Sequence, residues 1–398
     1  MMRGERALVV LCLCFVSGAS AALRVGPASK VTPTISEGQR HADVAAGDGG
    51  FLVVWESGVG GASKVRAARV GSDGVSLDPG GFTLGSASGG QFDPAVIWGH
   101  GVYLVVWSDM RSGDHALYGA RVSPQGQVLD PAGILLSTEP TAARMADGAS
   151  TPSGFLVVWA QAESTEHGFV VRARRVGIDG QPILTTLHLT DALPWSFGED
   201  WGRSVITDLV AQQVRVAIQG TSALVMWGGT PGRAQGYFIV SATIDLDTWA
   251  VVGAPRVAVV GAASRIYSPA VCEFGAGYLF SWTDFRERGG LGLPSENAGV
   301  MDADGGVLYA SLLDTRKARI VWAPAVSPDG IIAFVDPPQL IVREISPAGV
   351  SSGMDSLVEP GGAWPALATH LGGSTLLVYT ITNAPRDNGM LRARVILH

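Results

Sequence analysis

One short segment of the chain combines aromatic and acidic side chains in a way that suits ligand binding. Residues 193–201 contain three aromatic residues and two acids, which are Trp195, Phe197, Glu199, Asp200 and Trp201. Exposed aromatic rings can stack on a sugar ring or a peptide, while neighbouring carboxylates fix its orientation through hydrogen bonds. The alternative is structural, with both tryptophans folding back to cover apolar surface of their own domain.

A Trp-x-Asp-x-Arg motif occurs twice, once ending at Arg111 and once at Arg286. The second copy places Phe285 and Arg286 in a predicted loop, where both side chains can contact a ligand. Because the motif recurs at one structural position, a structural interpretation also fits: the Asp pairs with the Arg or with the backbone and so shapes each loop. Both interpretations stay open for Phe285 and Arg286.

Local motifs for metals, nucleotides and nucleophiles are absent from the sequence. The seven histidines are scattered and form no H-x-x-H pair, and there is no P-loop or dinucleotide fingerprint. Residues 349–353 match G-x-S-x-G, but they begin at a predicted turn and lack the helix that a nucleophile elbow needs. We therefore assign no catalytic residue, no metal site and no cofactor.

A recurring apolar motif supplies the elements that must position the candidate residues. Leu-Val-Val-Trp or a close variant ends at Trp55, Trp107, Trp159, Trp227 and Trp282, at intervals of 52, 52, 68 and 55 residues, and weaker copies lie at 332–335 and 376–379. A period of this size is typical of repeat proteins. Apolar residues at consecutive positions indicate a strand covered on both faces. We interpret the motif as the packing strand of each repeat and its tryptophan as a core residue.

Each repeat is predicted to contain four short strands separated by Gly and Pro turns. Four antiparallel strands in about 50 residues form one propeller blade. We therefore predict an all-β fold, a seven-bladed β-propeller in one domain over residues 28–398. The expected blades span residues 41–89, 92–141, 143–190, 204–262, 265–315, 318–360, and 364–398 together with 30–37.

The last repeat stops after its third strand, and residues 31–36 resemble the missing fourth strand. We expect this N-terminal strand to complete the last blade, because closing the ring removes exposed edge strands. The long interval before Trp227 leaves two alternatives, a six-bladed ring with an insert at 190–264 or two smaller rings.

Strand order places all long loops on one face of the predicted ring and the tight Gly turns on the other. Function is more often carried by variable loops on a rigid scaffold, so we predict that the long-loop face binds the ligand. First strands line the central channel, which predicts that His41, Asp43, Asp93 and Arg144 point into it, where they hold water or an ion or stay solvated.

The repeats resemble a family of exported bacterial propeller-like proteins. The shared pattern is a Pro-Ala strand such as Pro94-Ala95, then Leu-Val-Val-Trp, then Asp-x-Arg, and then an Arg-Val strand that ends in a Gly turn. The match is good over residues 41–190, looser over 265–398 and poor over 191–264. The resemblance implies a propeller fold and an exported location, without an established activity.

Residues 1–21 read as a secretory signal, with Arg3 and Arg6 before a short apolar run and small residues near the expected cleavage after Ala21 or Ala22. The apolar run is too short to span a bilayer. Removal of the signal leaves Cys272 without a disulfide partner. We expect an exported protein that is periplasmic, extracellular or held at the cell surface.

A net charge of -7 with 16% charged residues provides no basic stripe, which argues against nucleic acid as a partner. We expect a monomeric binding or interaction module whose partner is a protein or a glycan, with no transmembrane segment. One alternative is a glycan hydrolase, which would use two carboxyl groups at the channel mouth; the candidate acids are Asp43, Asp93, Glu199, Asp200 and Asp208. Another alternative is a structural surface component without a ligand site.

Overall fold

The computed structural model of the chain is all-β. It describes residues 23–34, 37–85, 87–137, 139, 141–162, 169–189, 213–229, 237–261, 266–284, 295–312, 324–336, 339–346, 356–360, 362–370, 373–381 and 390–397. Within these ranges there is no α-helix, and a single 3₁₀ turn lies at Gly60–Ala62. None of the described residues forms a helix with the length and hydrophobicity needed to cross a bilayer.

Two short strands precede the first blade, and each of the first six blades then joins four antiparallel strands in sequence order. The opening strands are β1 (Arg24–Val25) and β2 (Ser29–Lys30). The first blade contains β3 (Gln39–Gly47), β4 (Gly50–Ser57), β5 (Lys64–Val70) and β6 (Phe82–Thr83). The second contains β7 (Gln91–Gly99), β8 (Val102–Asp109), β9 (Ala116–Val122) and β10 (Ile134–Leu135). The third contains β11 (Ala143–Thr151), β12 (Gly154–Ala162), β13 (Phe169–Gly177) and β14 (Pro182–His188).

The remaining four blades follow the same order. The fourth contains β15 (Val214–Gln219), β16 (Ser222–Gly229), β17 (Tyr237–Asp245) and β18 (Ala250–Gly261). The fifth contains β19 (Ile266–Phe274), β20 (Gly277–Asp284), β21 (Ser295–Met301) and β22 (Val307–Leu312). The sixth contains β23 (Ala325–Val326), β24 (Ile331–Asp336), β25 (Gln339–Glu344) and β26 (Ser356–Pro360). The last contains β27 (Gly362–Thr369), β28 (Ser374–Ile381) and β29 (Met390–Leu397).

The Leu-Val-Val-Trp motif forms the second strand of its blade, and both faces of that strand are buried. In β4, Leu52 and Val54 pack with Trp107 of the second blade, whereas Phe51 and Val53 pack towards the last blade. Full burial of one such side chain contributes about 1.5–3 kcal/mol. The motif therefore stabilises the contacts between neighbouring blades, and its tryptophans are core residues as predicted: Trp55, Trp107, Trp159, Trp227 and Trp282 are at most 3% exposed.

The first strands of the seven blades form a closed cycle of contacts, β3–β7–β11–β15–β19–β23–β27 and back to β3. The divergent fourth repeat builds a complete blade of its own from β15 to β18. The seven-bladed ring is therefore confirmed, and neither the six-bladed ring nor two smaller rings describes the chain.

The N-terminal segment closes the ring, as predicted, but its paired residues lie upstream of the expected 31–36. Arg24 pairs with Leu397 and Ser29 pairs with Ala393, both on β29. The ladder ends where the N–H of Val31 donates to the carbonyl of Leu391 at 3.2 Å. Pro33 has no N–H to donate, so the chain turns away towards the first blade at this point.

A β-bulge interrupts the first strand at the same position in five blades. The register shifts fall between Arg40 and Asp43, Phe92 and Ala95, Arg144 and Asp147, Tyr267 and Ala270, and Ala363 and Ala366. A bulged residue has no ladder partner, so proline is tolerated there, which explains Pro94, Pro269 and Pro365. The bulge also redirects the preceding side chains, and this matters for the site below.

Candidate functional site

The bulges lie near the long-loop end of the ring. Gln39 at the start of β3 pairs with Ser57 at the end of β4, so the loop after β4 emerges beside the start of the first strand. The tight turn between the two strands, at Gly47 and Gly50, lies at the opposite end. Residues at the bulges therefore lie close to the face that carries the long loops.

Three consecutive blades place a residue with positive φ at the bulge: His41 (φ 49°), Asp93 (φ 50°) and Met145 (φ 52°). Positive φ is uncommon in residues other than glycine and is held only where the surroundings enforce it. In the first two blades this conformation brings polar side chains towards Glu56 on β4. We call His41, Glu56 and Asp93 the mouth cluster.

Glu56 is the centre of the mouth cluster. Its Oε1 atom accepts hydrogen bonds from Nδ1 of His41 at 2.9 Å and from the backbone N–H of Asp93 at 2.8 Å. Its Oε2 atom accepts a hydrogen bond from Nε of Arg40 at 3.0 Å. The Glu56 side chain is only 2% exposed, so both of its oxygens are held in fixed positions and one of them ties the first blade to the second.

The charges of the mouth cluster are coupled. Burial opposes ionisation of Glu56, but attraction to His41 and the hydrogen bonds from His41, Asp93 N–H and Arg40 outweigh it and lower the Glu56 pKa to about 2. Burial also opposes the charged form of His41, but Glu56 and Asp93 together raise the His41 pKa. The pair is therefore an ionised glutamate beside an imidazole that is biased towards its protonated form.

Asp93 differs from Glu56 because its carboxylate lacks a donor. Among the described residues no group donates a hydrogen bond to it, and its nearest cationic atom is Nδ1 of His41 at 3.9 Å from Oδ1. The side chain is 23% exposed. Burial, followed by the negative charge of Glu56, raises the Asp93 pKa against the opposing charges of His41, Arg144 and Arg215. Asp93 is thus the polar group of the mouth cluster with unused hydrogen-bonding capacity.

A cation in the third blade lies beside the mouth cluster. Nη2 of Arg144 donates to Nε2 of His115 at 2.5 Å, and Nδ1 of His115 donates to Oγ of Ser108 at 2.8 Å. Ser108 in turn donates to the carbonyl of Ala143 at 3.0 Å. Burial and the charge of Arg144 lower the His115 pKa to about 4. The imidazole is therefore neutral and holds Arg144 in place, while Nε of Arg144 is buried without a partner.

Two further acids lie next to the bulges on the first strands. Asp43 accepts a hydrogen bond from the N–H of Val96 at 2.9 Å, and Asp147 accepts one from the N–H of Val216 at 3.0 Å. Burial and the nearby Asp147 raise the Asp43 pKa to about 6, and burial raises the Asp147 pKa against the charge of Arg215. Each acid bonds the backbone of the next blade, so their first role is to join blades.

The structure brings together only part of the predicted set. His41 and Asp93 meet in the mouth cluster, Arg144 acts electrostatically on Asp93, and Asp43 bonds to the second blade. Eight other candidates lie outside the described residues: Trp195, Phe197, Glu199, Asp200, Trp201, Asp208, Phe285 and Arg286.

Sequence reasoning did not single out Glu56, His115 or Asp147. The sequence signal for Glu56 is its position directly after the recurring tryptophan of the motif, which Glu56 and Ser108 occupy in the first two blades. Both are polar residues that directly follow the apolar run of the packing strand. A polar residue at that point indicates a hydrogen-bonding role near the long-loop end.

The first Trp-x-Asp-x-Arg copy is a local structural device, as one of its two interpretations predicts. Asp109 Oδ1 accepts hydrogen bonds from the backbone N–H of Arg111 at 2.9 Å and from its Nε at 3.0 Å. Asp109 Oδ2 accepts from Nη2 of Arg111 at 2.7 Å and from Nε1 of Trp107 at 2.9 Å. This pairing shapes the loop after β8, and it engages both carboxylate oxygens of Asp109 in hydrogen bonds.

The fold and the closed ring define the chain as a seven-bladed β-propeller. No protein-family model matches the chain, and no curated protein matches it. Solved structures do match. A protein of unknown function from Dyadobacter fermentans DSM 18053 aligns at 10% identity over 94% of this chain and 99% of its own, with a TM-score of 0.55.

Two hydrolytic enzymes also align with the chain. A puromycin hydrolase matches at 16% identity and a TM-score of 0.56 over 91% of this chain, which spans only 53% of that enzyme. An endo-arabinase from Bacteroides thetaiotaomicron VPI-5482 matches at 11% identity over 93% of this chain and 98% of its own, with a TM-score of 0.43. At these identities each likeness shows a shared fold and nothing more. The alignment with the endo-arabinase, at a TM-score of 0.43, carries no argument at all.

Proposed function

We propose that this protein is an exported binding module that holds a glycan over the channel opening on its long-loop face. The observation that carries the proposal is the convergence of His41, Asp93 and Arg144 from three consecutive blades at one end of the ring. These groups combine a carboxylate acceptor with cationic donors. Sugar hydroxyls both donate and accept hydrogen bonds, so they match such a mixed set.

The groups at the opening are held in place before any ligand arrives. Glu56 fixes His41 and the backbone of Asp93, and His115 fixes Arg144. A site whose side chains are already ordered loses less conformational entropy on binding. Asp93 also keeps its carboxylate without a hydrogen-bond donor among the described residues, and a ligand hydroxyl would supply one. These features support binding rather than a purely structural part.

The export component of the proposal is supported by the sequence of residues 1–21, which has the three parts of a secretory signal. The segment at 193–201 lies in the sequence between β14 and β15 and outside the described residues. We propose that the aromatic rings of Trp195 and Trp201 stack on the same glycan.

The test is glycan-array binding of the chain from residue 23, followed by titration of the best ligand with variants. We expect Asp93→Asn and Arg144→Gln each to weaken binding by about tenfold, the value of one lost hydrogen bond to a charged group. The double variant Trp195→Ala/Trp201→Ala tests the aromatic segment. Asp48→Asn, an exposed acid on the tight-turn face, is the matched control. Unchanged binding in Asp93→Asn and Arg144→Gln would overturn the assignment of the opening.

A second candidate function is glycan hydrolysis, favoured by one observation. An ionised Glu56 and a carboxyl of raised pKa, Asp93, have oxygens within 4.8 Å of each other, and hydrolases pair an ionised with a protonated carboxyl group. Against it, both oxygens of Glu56 are occupied and its side chain is buried. The candidate predicts release of reducing sugar that Asp93→Asn abolishes while binding persists; binding without turnover in the parent protein would reject it.

A further inference from the structure

We propose that the mouth cluster is a binding site for a borderline divalent transition-metal ion of the Zn²⁺ type, with His41, Glu56 and Asp93 as its protein ligands. One ligand atom from each residue lies within 4.8 Å of the other two. The proposal does not rest on glycan binding, because metal uptake is measured without any sugar.

The ligand geometry is close to what a small ion requires. Zinc bonds to nitrogen and oxygen are about 2.0–2.2 Å, which places tetrahedral ligand atoms about 3.3 Å apart. The present separations from Nδ1 of His41 are 2.9 Å to Glu56 Oε1 and 3.9 Å to Asp93 Oδ1. Metal binding displaces the proton that lies between Nδ1 of His41 and Oε1 of Glu56 and releases it to solvent. A slight parting of these two atoms and an approach of Asp93 Oδ1 by roughly half an ångström would then bring both separations from Nδ1 near the tetrahedral value.

The carboxylate of Asp93 is evidence for a cation site that does not depend on the hydrogen bonds within the mouth cluster. Its carboxylate is three-quarters buried, yet no group among the described residues donates to it. A buried carboxylate without a donor is costly. A bound cation satisfies it, whereas His41 at 3.9 Å is too distant to form a hydrogen bond.

The surroundings provide what a metal ligand usually needs. Arg40 bonds Oε2 of Glu56 and orients the carboxylate, as outer-shell partners of metal sites do. When Nδ1 of His41 turns from Oε1 to the ion, the lone pair of Oε1 that accepts from His41 becomes available to the ion beside the bond from Asp93 N–H. His41 is 34% exposed, so an ion can enter, and a water molecule can take the fourth position.

The donor set also selects the kind of ion. One imidazole nitrogen and two carboxylate oxygens suit Zn²⁺ and its neighbours, because imidazole favours these ions. Ca²⁺ requires six to eight oxygen ligands and Mg²⁺ near-ideal octahedral oxygen coordination. The mouth cluster offers only two carboxylate ligands, and its third ligand is a nitrogen that suits neither hard ion, so Ca²⁺ and Mg²⁺ should both bind much more weakly than Zn²⁺.

The experiment is equilibrium dialysis of the untagged, metal-stripped chain from residue 23 against Zn²⁺, with bound metal counted by atomic spectrometry. We expect one ion per chain, and His41→Gln and Asp93→Asn should each weaken binding by at least about tenfold. His100→Gln is the matched control, because His100 lies on the tight-turn face and bonds the carbonyl of Thr151. Thermal unfolding verifies that each variant is folded.

A second readout uses Co²⁺ in place of Zn²⁺, since the intensity of its visible bands reports a low-coordinate site. We expect these bands in the parent chain and in His100→Gln, and their loss in His41→Gln. Zinc uptake that His41→Gln and Asp93→Asn leave unchanged would overturn the proposal. So would the absence of a stoichiometric site at micromolar zinc, or equal binding of Ca²⁺. Failure here leaves glycan binding untouched, because the array is run in the presence of a chelator as well as without it.

Discussion

The Oε1 atom of Glu56 in the first blade accepts a hydrogen bond of 2.8 Å from the backbone N–H of Asp93 in the second. The bond crosses between blades at the long-loop end of the ring. Asp43 and Asp147 make equivalent links to Val96 and Val216. Acidic side chains near the channel therefore hold neighbouring blades in register, in addition to any role in binding.

Replacement of Glu56 by Ala should be strongly destabilising. The change leaves Arg40, His41 and the N–H of Asp93 without their common acceptor, and removal of one partner of a buried ion pair costs about 3–5 kcal/mol. Urea unfolding monitored by tryptophan fluorescence measures the loss. Asp48→Ala, an exposed acid on the other face, should change the free energy of unfolding by less than about 0.5 kcal/mol. Similar values for the two variants would contradict the central role of Glu56.

Two core tryptophans should respond differently to replacement by phenylalanine. Nε1 of Trp107 donates to buried Asp109 at 2.9 Å, whereas Nε1 of Trp55 is buried without a partner. Both changes remove similar side-chain volume. Only Trp107→Phe also removes a hydrogen bond, the one that Asp109 accepts from the indole N–H. We expect Trp107→Phe to cost about 1–3 kcal/mol more than Trp55→Phe in chemical denaturation. Equal costs would show that the indole hydrogen bond contributes little.

The Asp109–Arg111 pair predicts a specific pH dependence of stability. Burial opposes ionisation of Asp109, but hydrogen bonds from Arg111, Trp107 and Gln91 outweigh it and lower its pKa. A lowered pKa in the folded state adds stability above the unfolded pKa of about 3.9, and that stability is lost as pH falls through the folded value. Nearby His115, with its pKa of about 4, begins to charge in the same range.

Asp109→Asn should therefore lower the free energy of unfolding by about 2 kcal/mol at pH 7, and the difference from the parent should shrink towards pH 3. Unfolding curves collected between pH 7 and pH 3 test this. Asp73→Asn, in an exposed turn, serves as the control. A difference that stays constant over the whole range would refute the linkage.

Ring closure by the N-terminal segment predicts a large effect of a small deletion. A chain that begins at Thr32 lacks β1, β2 and the fully buried Val31, which packs in the core between the first and last blades. Lost burial and backbone hydrogen bonds sum to on the order of 5 kcal/mol, so the melting temperature of a chain of this length should fall by roughly 6 °C. A chain that begins at Leu23 is the control, and identical melting of both would mean that β29 needs no partner.

Much of the fold could be predicted because its signals are local. The apolar run ending at Trp55 or Trp107 requires two-sided burial, and Gly turns set the strand order. The ring closure could be predicted because the last repeat contains only three strands and residues 31–36 resemble a fourth. The register of the closing strands could not be predicted, because the position of the ladder depends on contacts with β29 that leave no local pattern.

The mouth cluster could be predicted only in part. His41 and Asp93 were found from strand position, but Glu56 joins them through a bulge and positive φ values that the residue types alone do not reveal. Asp93 precedes Pro94, which marks the bulge without stating where the side chain points. Arg144 was predicted to line the channel, while its support by His115 depends on two blades packing side by side.

The pairing of Arg24 with Leu397 has a consequence for biogenesis. Residues near the two ends of the described chain must meet before the seventh blade is complete, so the fold cannot finish until the C-terminal strand has been synthesised. Contacts between residues so distant in sequence form slowly. Until they form, β29 presents an open strand edge, with which a strand of another chain can pair.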